Sequence, residues 1–174
     1  MRSHFSCVCL TVASGLSLLL SGCSLSVTSA PTPDAGVAFR GVVRGGQQVI
    51  TGAHVYLFAA NAGVFTPNAN GYGNASISLL TNVPGQTTLD SGGGPTNGDY
   101  YVTTDANGSF GITGDYTCTA TQQVYLYVLG GNPGAGTNLA LGLLEVLGSC
   151  PTGVGGGSFA TQTPYVVVNE ATTV

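Results

Sequence analysis

Apolar and polar residues alternate with a period of two in short runs from residue 37 onward, and turn-forming residues separate the runs. That spacing places successive side chains on opposite faces of an extended chain, so each run predicts a strand. "VAFRGVVR" (37–44) is the first, followed by the turn "GGQQ". In "AHVYLFAA" (53–60), Val55 and Leu57 fall on one face and His54, Tyr56 and Phe58 on the other. Residues 61–99 are irregular and rich in Gly, Asn, Thr and Pro, with one short strand expected at "ASISLL" (75–80). "YYVTT" (100–104) and "SFGIT" (109–113) flank "DANG", where Asp105 and Gly108 suit a tight hairpin turn. "QVYLYVLG" (123–130) and "PYVVVNE" (164–170) predict two more strands. "NLALGLLEVLG" (138–148) fits both periods. Leu139, Leu143 and Val146 suit a helix, but the β context favours a strand. The pattern predicts an all-β fold, a single antiparallel β-sandwich of about seven strands. Heptads and fixed-period repeats are absent from the sequence.

The chain opens differently. "MRSHFSCVCLTVASGLSLLLSGCS" has a short polar start at Arg2 and His4, an apolar run from Phe5 to Leu20, and small residues before Cys23. So short an apolar run, ending at small residues, reads as a cleaved export signal over 1–22 rather than a spanning helix. Leu20-Ser21-Gly22-Cys23 resembles the bacterial lipobox, in which a nucleophilic thiol accepts a diacylglyceryl group. The resemblance implies lipid attachment at Cys23, and two or more acyl chains anchor stably where one does not. Ser24, rather than Asp, resembles the pattern of lipoproteins sent on to the outer membrane. Residues 23–36, small, polar and proline-bearing, then read as a flexible tether, and 37–174 as the sandwich domain. The tail "NEATTV" has no terminating feature, so a complete short protein and a piece of a longer one both stay open.

Charge narrows the partners. Charged residues are 6% of the chain, against a usual quarter, and Gly numbers 28. Lysine is absent, and Arg40 and Arg44 are the only strong bases beyond the signal, against all seven acidic residues. Such a surface cannot neutralise a row of phosphates, which excludes nucleic acid. It also lacks the basic attraction to anionic lipid, so membrane attachment falls to the lipid anchor. Of five cysteines, Cys7 and Cys9 lie in the signal and Cys23 at the lipid site. Cys118 and Cys150 remain as an even pair in an oxidising compartment, and a disulfide between them is expected. The spacing suggests neither a metal site nor a cofactor.

"FRGVVRGGQQVITGAHVYLF" and "VTTDANGSFGITGDYTC" carry a family resemblance. They resemble the two signatures of carboxypeptidase regulatory-like domains, which are transthyretin-like sandwiches related in shape to the Cna-B modules of surface proteins. The signatures cover roughly 35–60 and 100–118. The longer run down to "VVVNEATTV" looks like the N-terminal region of large surface proteins of soil bacteria such as acidobacteria, in which NHL-type propellers tend to follow. Some Cna-B modules form a Lys–Asn isopeptide bond; without lysine that crosslink is ruled out here.

Other stretches invite chemistry. "LDSGGGP" (89–95) differs by one glycine from the GDSGGP around the nucleophile of chymotrypsin-like proteases, with His54 as a base for Ser91. The stretch departs twice from that pattern, at Leu89 and at the third glycine, and His54 sits inside a strand. Two barrels would also need a longer chain, so the reading is a glycine-rich surface loop and no enzyme. "DANGSF" places Asp105, Asn107 and Ser109 at alternating positions as in an EF-hand start, but its glycine comes too early and Tyr116 stands where Glu is needed, so a hairpin turn is expected and a weak calcium site with Asp99 or Asp115 stays open. Glu170 has no acid–base partner in sequence. Tyr72, Tyr100 and Tyr101 lie in or beside the 61–99 loop and are the ligand-binding candidates, since loop aromatics suit sugar and protein contacts. The expected function is a lipid-anchored, non-catalytic module of the bacterial envelope, on the outer membrane and facing periplasm or exterior. Its expected partners are the membrane and an envelope protein or glycan. The alternative is a carbohydrate-binding module using the loop 61–99.

Overall fold

A computed structural model gives the fold and describes residues 37–60, 75–113, 116, 118–151, 159 and 163–173. The expected signal, the tether, Cys23 and Tyr72 lie outside the described residues. Among the described residues there are ten strands and no helix. They are β1 (Val37–Gly45), β2 (Gln48–Val49), β3 (His54–Ala59), β4 (Ile77–Ser78), β5 (Thr88–Leu89), β6 (Tyr100–Thr103), β7 (Ser109–Thr113), β8 (Gln123–Leu129), β9 (Gly142–Ser149) and β10 (Tyr165–Val168).

The strands form the two sheets of an all-β sandwich. In the first, β1 runs between β10 on one edge and β7 and β2 on the other. In the second, the order is β5-β6-β3-β8-β9, and β4 pairs with the end of β3. The inward positions of both sheets make one core. Phe39, Val43, Phe110, Ile112, Val166 and Val168 enter it from the first sheet, and Val55, Leu57, Val102, Val124, Leu126 and Val128 from the second. Each such side chain contributes roughly 1.5–3 kcal/mol by leaving water.

Two local features fix the first sheet. Gly41 faces the Phe110 ring, and a Cβ there would lie 2.5 Å from its Cζ and 2.6 Å from the Val166 carbonyl oxygen. Only glycine lets β7 and β10 approach β1 so closely. The β6–β7 turn is tied by Asp105, whose Oδ1 accepts from the N–H groups of Asn107 and Ser109, both at 2.8 Å. Gly108 completes it at φ 71°. This is the local side-chain-to-backbone bonding that makes Asp a turn residue.

The strand reading of 138–148 holds over Gly142–Ser149. The run "ASISLL" pairs with β3 at Ile77 and Ser78, the Leu79 N–H still donates to the Leu57 carbonyl at 2.9 Å, and the Leu79 and Leu80 side chains enter the core. Within the antiparallel-rich architecture one pair is parallel, β1 with β10, in the register Gly41 to Val166 and Val43 to Val168. Cys118 and Cys150 form the expected disulfide, with Cα atoms 5.9 Å apart across a sequence separation of 32. It ties the chain beyond β7 to the end of β9.

Candidate functional site

Outward positions of a sandwich sheet are ordinarily polar. The second sheet breaks that habit. His54, Tyr56 and Phe58 on β3, Tyr101 on β6, and Tyr125 and Tyr127 on β8 all lie on its outer face. Register brings them together, since Tyr56 stands opposite Tyr127 and Phe58 opposite Tyr125. The centroids of Phe58 and Tyr125 are 5.8 Å apart, and those of Tyr56 and Tyr101 are 5.6 Å apart. His54 stacks on Tyr101 at 3.8 Å with 12° between the planes. Tyr56 is 1% exposed and Phe58 7%, so β3 is buried on both faces. The other four rings are half-buried and form the accessible part of the face.

One end of this face is held by the glycine-rich stretch. Residues 90–99 turn the chain from β5 into β6, and the Asp90 N–H donates to the Asp99 carbonyl at 2.8 Å. The Asp90 carboxylate is a hub. Its Oδ2 accepts from the Tyr56 hydroxyl at 2.7 Å and from the Thr96 hydroxyl at 2.7 Å, and its Oδ1 from the Gly92 N–H at 2.9 Å. These donors, led by Gly92, hold its carboxyl below the usual carboxylate range. Asp99, opposite in the turn, moves the other way, because burial outweighs its hydrogen bond with Ser78 and the Asp90 charge adds to the rise. Burial pushes the Tyr56 phenol up, and its bond to Asp90 pushes it further. Burial lowers His54, partly opposed by the charge of Asp90, so the imidazole is neutral at pH 7.

Ser91 is exposed at the tip of this turn. Among the described residues no hydrogen bond joins it to His54, whose ring is stacked on Tyr101. The glycine-rich stretch therefore builds a hairpin around Asp90. Of the tyrosine candidates, Tyr101 belongs to the aromatic face, whereas Tyr100 pairs across from Leu89 and packs against the core. The Asp105 Oδ1 is spent on two backbone amides. Glu170 accepts from the Gly46 N–H at 2.9 Å, which lowers its carboxyl from the usual range. Asp90, Thr96, Tyr125 and Tyr127 join the site without being candidates in the sequence. The available signals were the tyrosine alternation in "VYLYV" and an Asp directly ahead of a glycine turn.

The face offers ring surfaces, phenol hydroxyls and two carboxylates, with neither arginine of the described chain on it. It suits neutral partners that stack and share hydrogen bonds, not phosphates. Among the described residues, no group of three or more His, Cys, Asp or Glu gathers to hold a metal ion. Compared with protein-family models, curated proteins and solved structures, the chain matches none.

Proposed function

We propose that this protein is a non-catalytic interaction module of the bacterial envelope, anchored by lipid at Cys23, that presents the outer face of its second sheet to a partner. The observation that carries the reading is the aromatic face itself. Four half-buried rings stand together where a sandwich would ordinarily place polar side chains. The polar groups beside them are engaged in the fold. Asp90 accepts three hydrogen bonds and His54 is stacked, which supports binding rather than chemistry. The lipobox-like "LSGC" and the resemblance to carboxypeptidase regulatory-like surface domains support the location.

Membrane fractionation of a bacterial host tests the anchor. The wild-type chain is expected in the membrane fraction and Cys23→Ala in the soluble fraction. Equal partition of the two would refute lipid anchoring.

A neutral glycan is the second reading. It is favoured by Tyr101, Tyr125 and Tyr127 on a face without a cation. Affinity electrophoresis in gels of neutral polysaccharide should retard the wild-type chain, and Tyr101→Ala and Tyr127→Ala should each run freely. Equal mobility of all three in every gel would leave a protein as the partner.

A further inference from the structure

Among the described residues the second sheet ends at β5 on one side and at β9, eight residues long, on the other. An edge strand presents unpaired backbone groups to any passing strand, and proteins cover or charge such edges. Two features do so here. The Leu144 N–H donates to Thr173 Oγ1 at 3.0 Å, and the Leu144 carbonyl accepts from Thr172 Oγ1 at 2.8 Å. Two hydroxyls thus stand in for a neighbouring strand at this residue. The turn that carries them is pinned by Asn169, whose Oδ1 accepts from the Ala171 N–H at 2.8 Å. The second feature is Glu145. It pairs across from Leu126, which is fully buried, so it lies on the inward face of an edge strand, between Leu143 and Leu147. By the alternation of an antiparallel ladder, Gly142 and Val146 aim their backbone groups outward as Leu144 does. Apart from their pairing with Leu129 and Tyr125 of β8, no hydrogen bond among the described residues reaches either.

We propose that β9 is a guarded pairing edge whose fitting partner is β9 of a second copy of this chain, held off by Thr172, Thr173 and Glu145. The edge is self-complementary. A two-fold antiparallel pairing centred on Leu144 lets the two Leu144 residues exchange both hydrogen bonds. It lays each Val146, 58% exposed, over the bare Gly142 of the other copy. The same register sets each Glu145 against Leu143 on the inner face and buries the carboxylates without partners. The hydroxyl turn blocks the centre of the pairing, and Glu145 penalises its flanks.

Sedimentation velocity on the full chain tests this, comparing wild type, Thr172→Val/Thr173→Val, and that pair combined with Glu145→Gln. The wild type is expected to be a monomer. Removing the hydroxyls should tighten self-association by about tenfold, the effect of restoring one hydrogen-bonded pair to the partner, and Glu145→Gln by a similar factor. Adding Val146→Lys to the triple variant should return the monomer. A triple variant that stays monomeric, or a wild type that already pairs, overturns the proposal. Amide hydrogen exchange on the single variant Thr173→Val supplies a readout independent of association. The Leu144 amide should lose its protection, and unchanged exchange there would show that the hydroxyl guards nothing.

Discussion

Asp90→Ala is expected to be among the most costly changes outside the apolar core. It removes the acceptor of three donors at once. Two of them belong to Tyr56, 1% exposed, and Thr96, 5% exposed, so water cannot readily replace the carboxylate. A hydrogen bond to a charged group contributes about 1.5–3 kcal/mol, and a stranded buried donor costs about 1–3 kcal/mol. Asp90 itself is partly exposed, and Gly92 can turn to solvent. The expected loss is therefore about 3 kcal/mol, a large share of the 5–15 kcal/mol that holds an ordinary domain folded. Tyr56→Phe removes one donor but strands nothing buried, and should cost about 1.5 kcal/mol. The double variant has no stranded phenol, so its cost should stay near that of Asp90→Ala alone, with a coupling of about 1.5 kcal/mol. Urea unfolding with intact disulfide measures all four proteins, and an unchanged slope confirms that only stability has moved. A loss below about 0.5 kcal/mol for Asp90→Ala, or strict additivity in the cycle, would refute the hub.

Replacing Cys118 and Cys150 by Ala should cost about 3–4 kcal/mol, from the chain entropy of a 32-residue separation, read as a lowered urea midpoint. Gly41→Ala should lower stability by more than about 3 kcal/mol, because its Cβ meets the Phe110 ring and the Val166 carbonyl at or below 2.6 Å; a soluble variant with wild-type melting would contradict the packing of β1. Thr104→Val should cost about 2 kcal/mol, since its buried hydroxyl donates to the Ile50 carbonyl at 2.8 Å and accepts from the Ala53 N–H at 2.9 Å. Stability should also follow pH through two groups. The lowered Asp90 carboxyl stabilises the fold above its unfolded pKa of about 3.9, and that contribution is lost as pH falls through its folded value. The lowered His54 disfavours its own protonation, so the fold weakens as pH drops below about 6.5, and His54→Gln should flatten the urea midpoint between pH 7 and 5.

Period-two alternation made the long strands readable, because one face of each is buried whatever its partner. The "SFGIT" strand runs over the expected Ser109–Thr113, and the DANG turn closes as Asp105 and Gly108 required. The disulfide followed from counting cysteines once the signal was set apart. The parallel pairing of β1 and β10 was not legible, since register between distant segments depends on the whole core. The hub was hidden for a related reason. Asp90 takes its role from Tyr56, 34 positions upstream, and from the fold that brings them together. The resemblance of "LDSGGGP" to a protease stretch drew attention to Ser91, while the residue before it does the structural work. The outer face was half legible. The alternation placed His54, Tyr56 and Phe58 on one side, but that this side is aromatic across β6 and β8 emerged only with the strand order.

Intact mass of the protein purified from membranes of a bacterial host decides whether the chain is a lipid-anchored envelope module. The expected species begins at Cys23, carries two or more acyl chains, and gains the mass of two hydrogens when the Cys118–Cys150 bridge is reduced. A soluble chain without acyl groups, or one that retains residues 1–22, would contradict it.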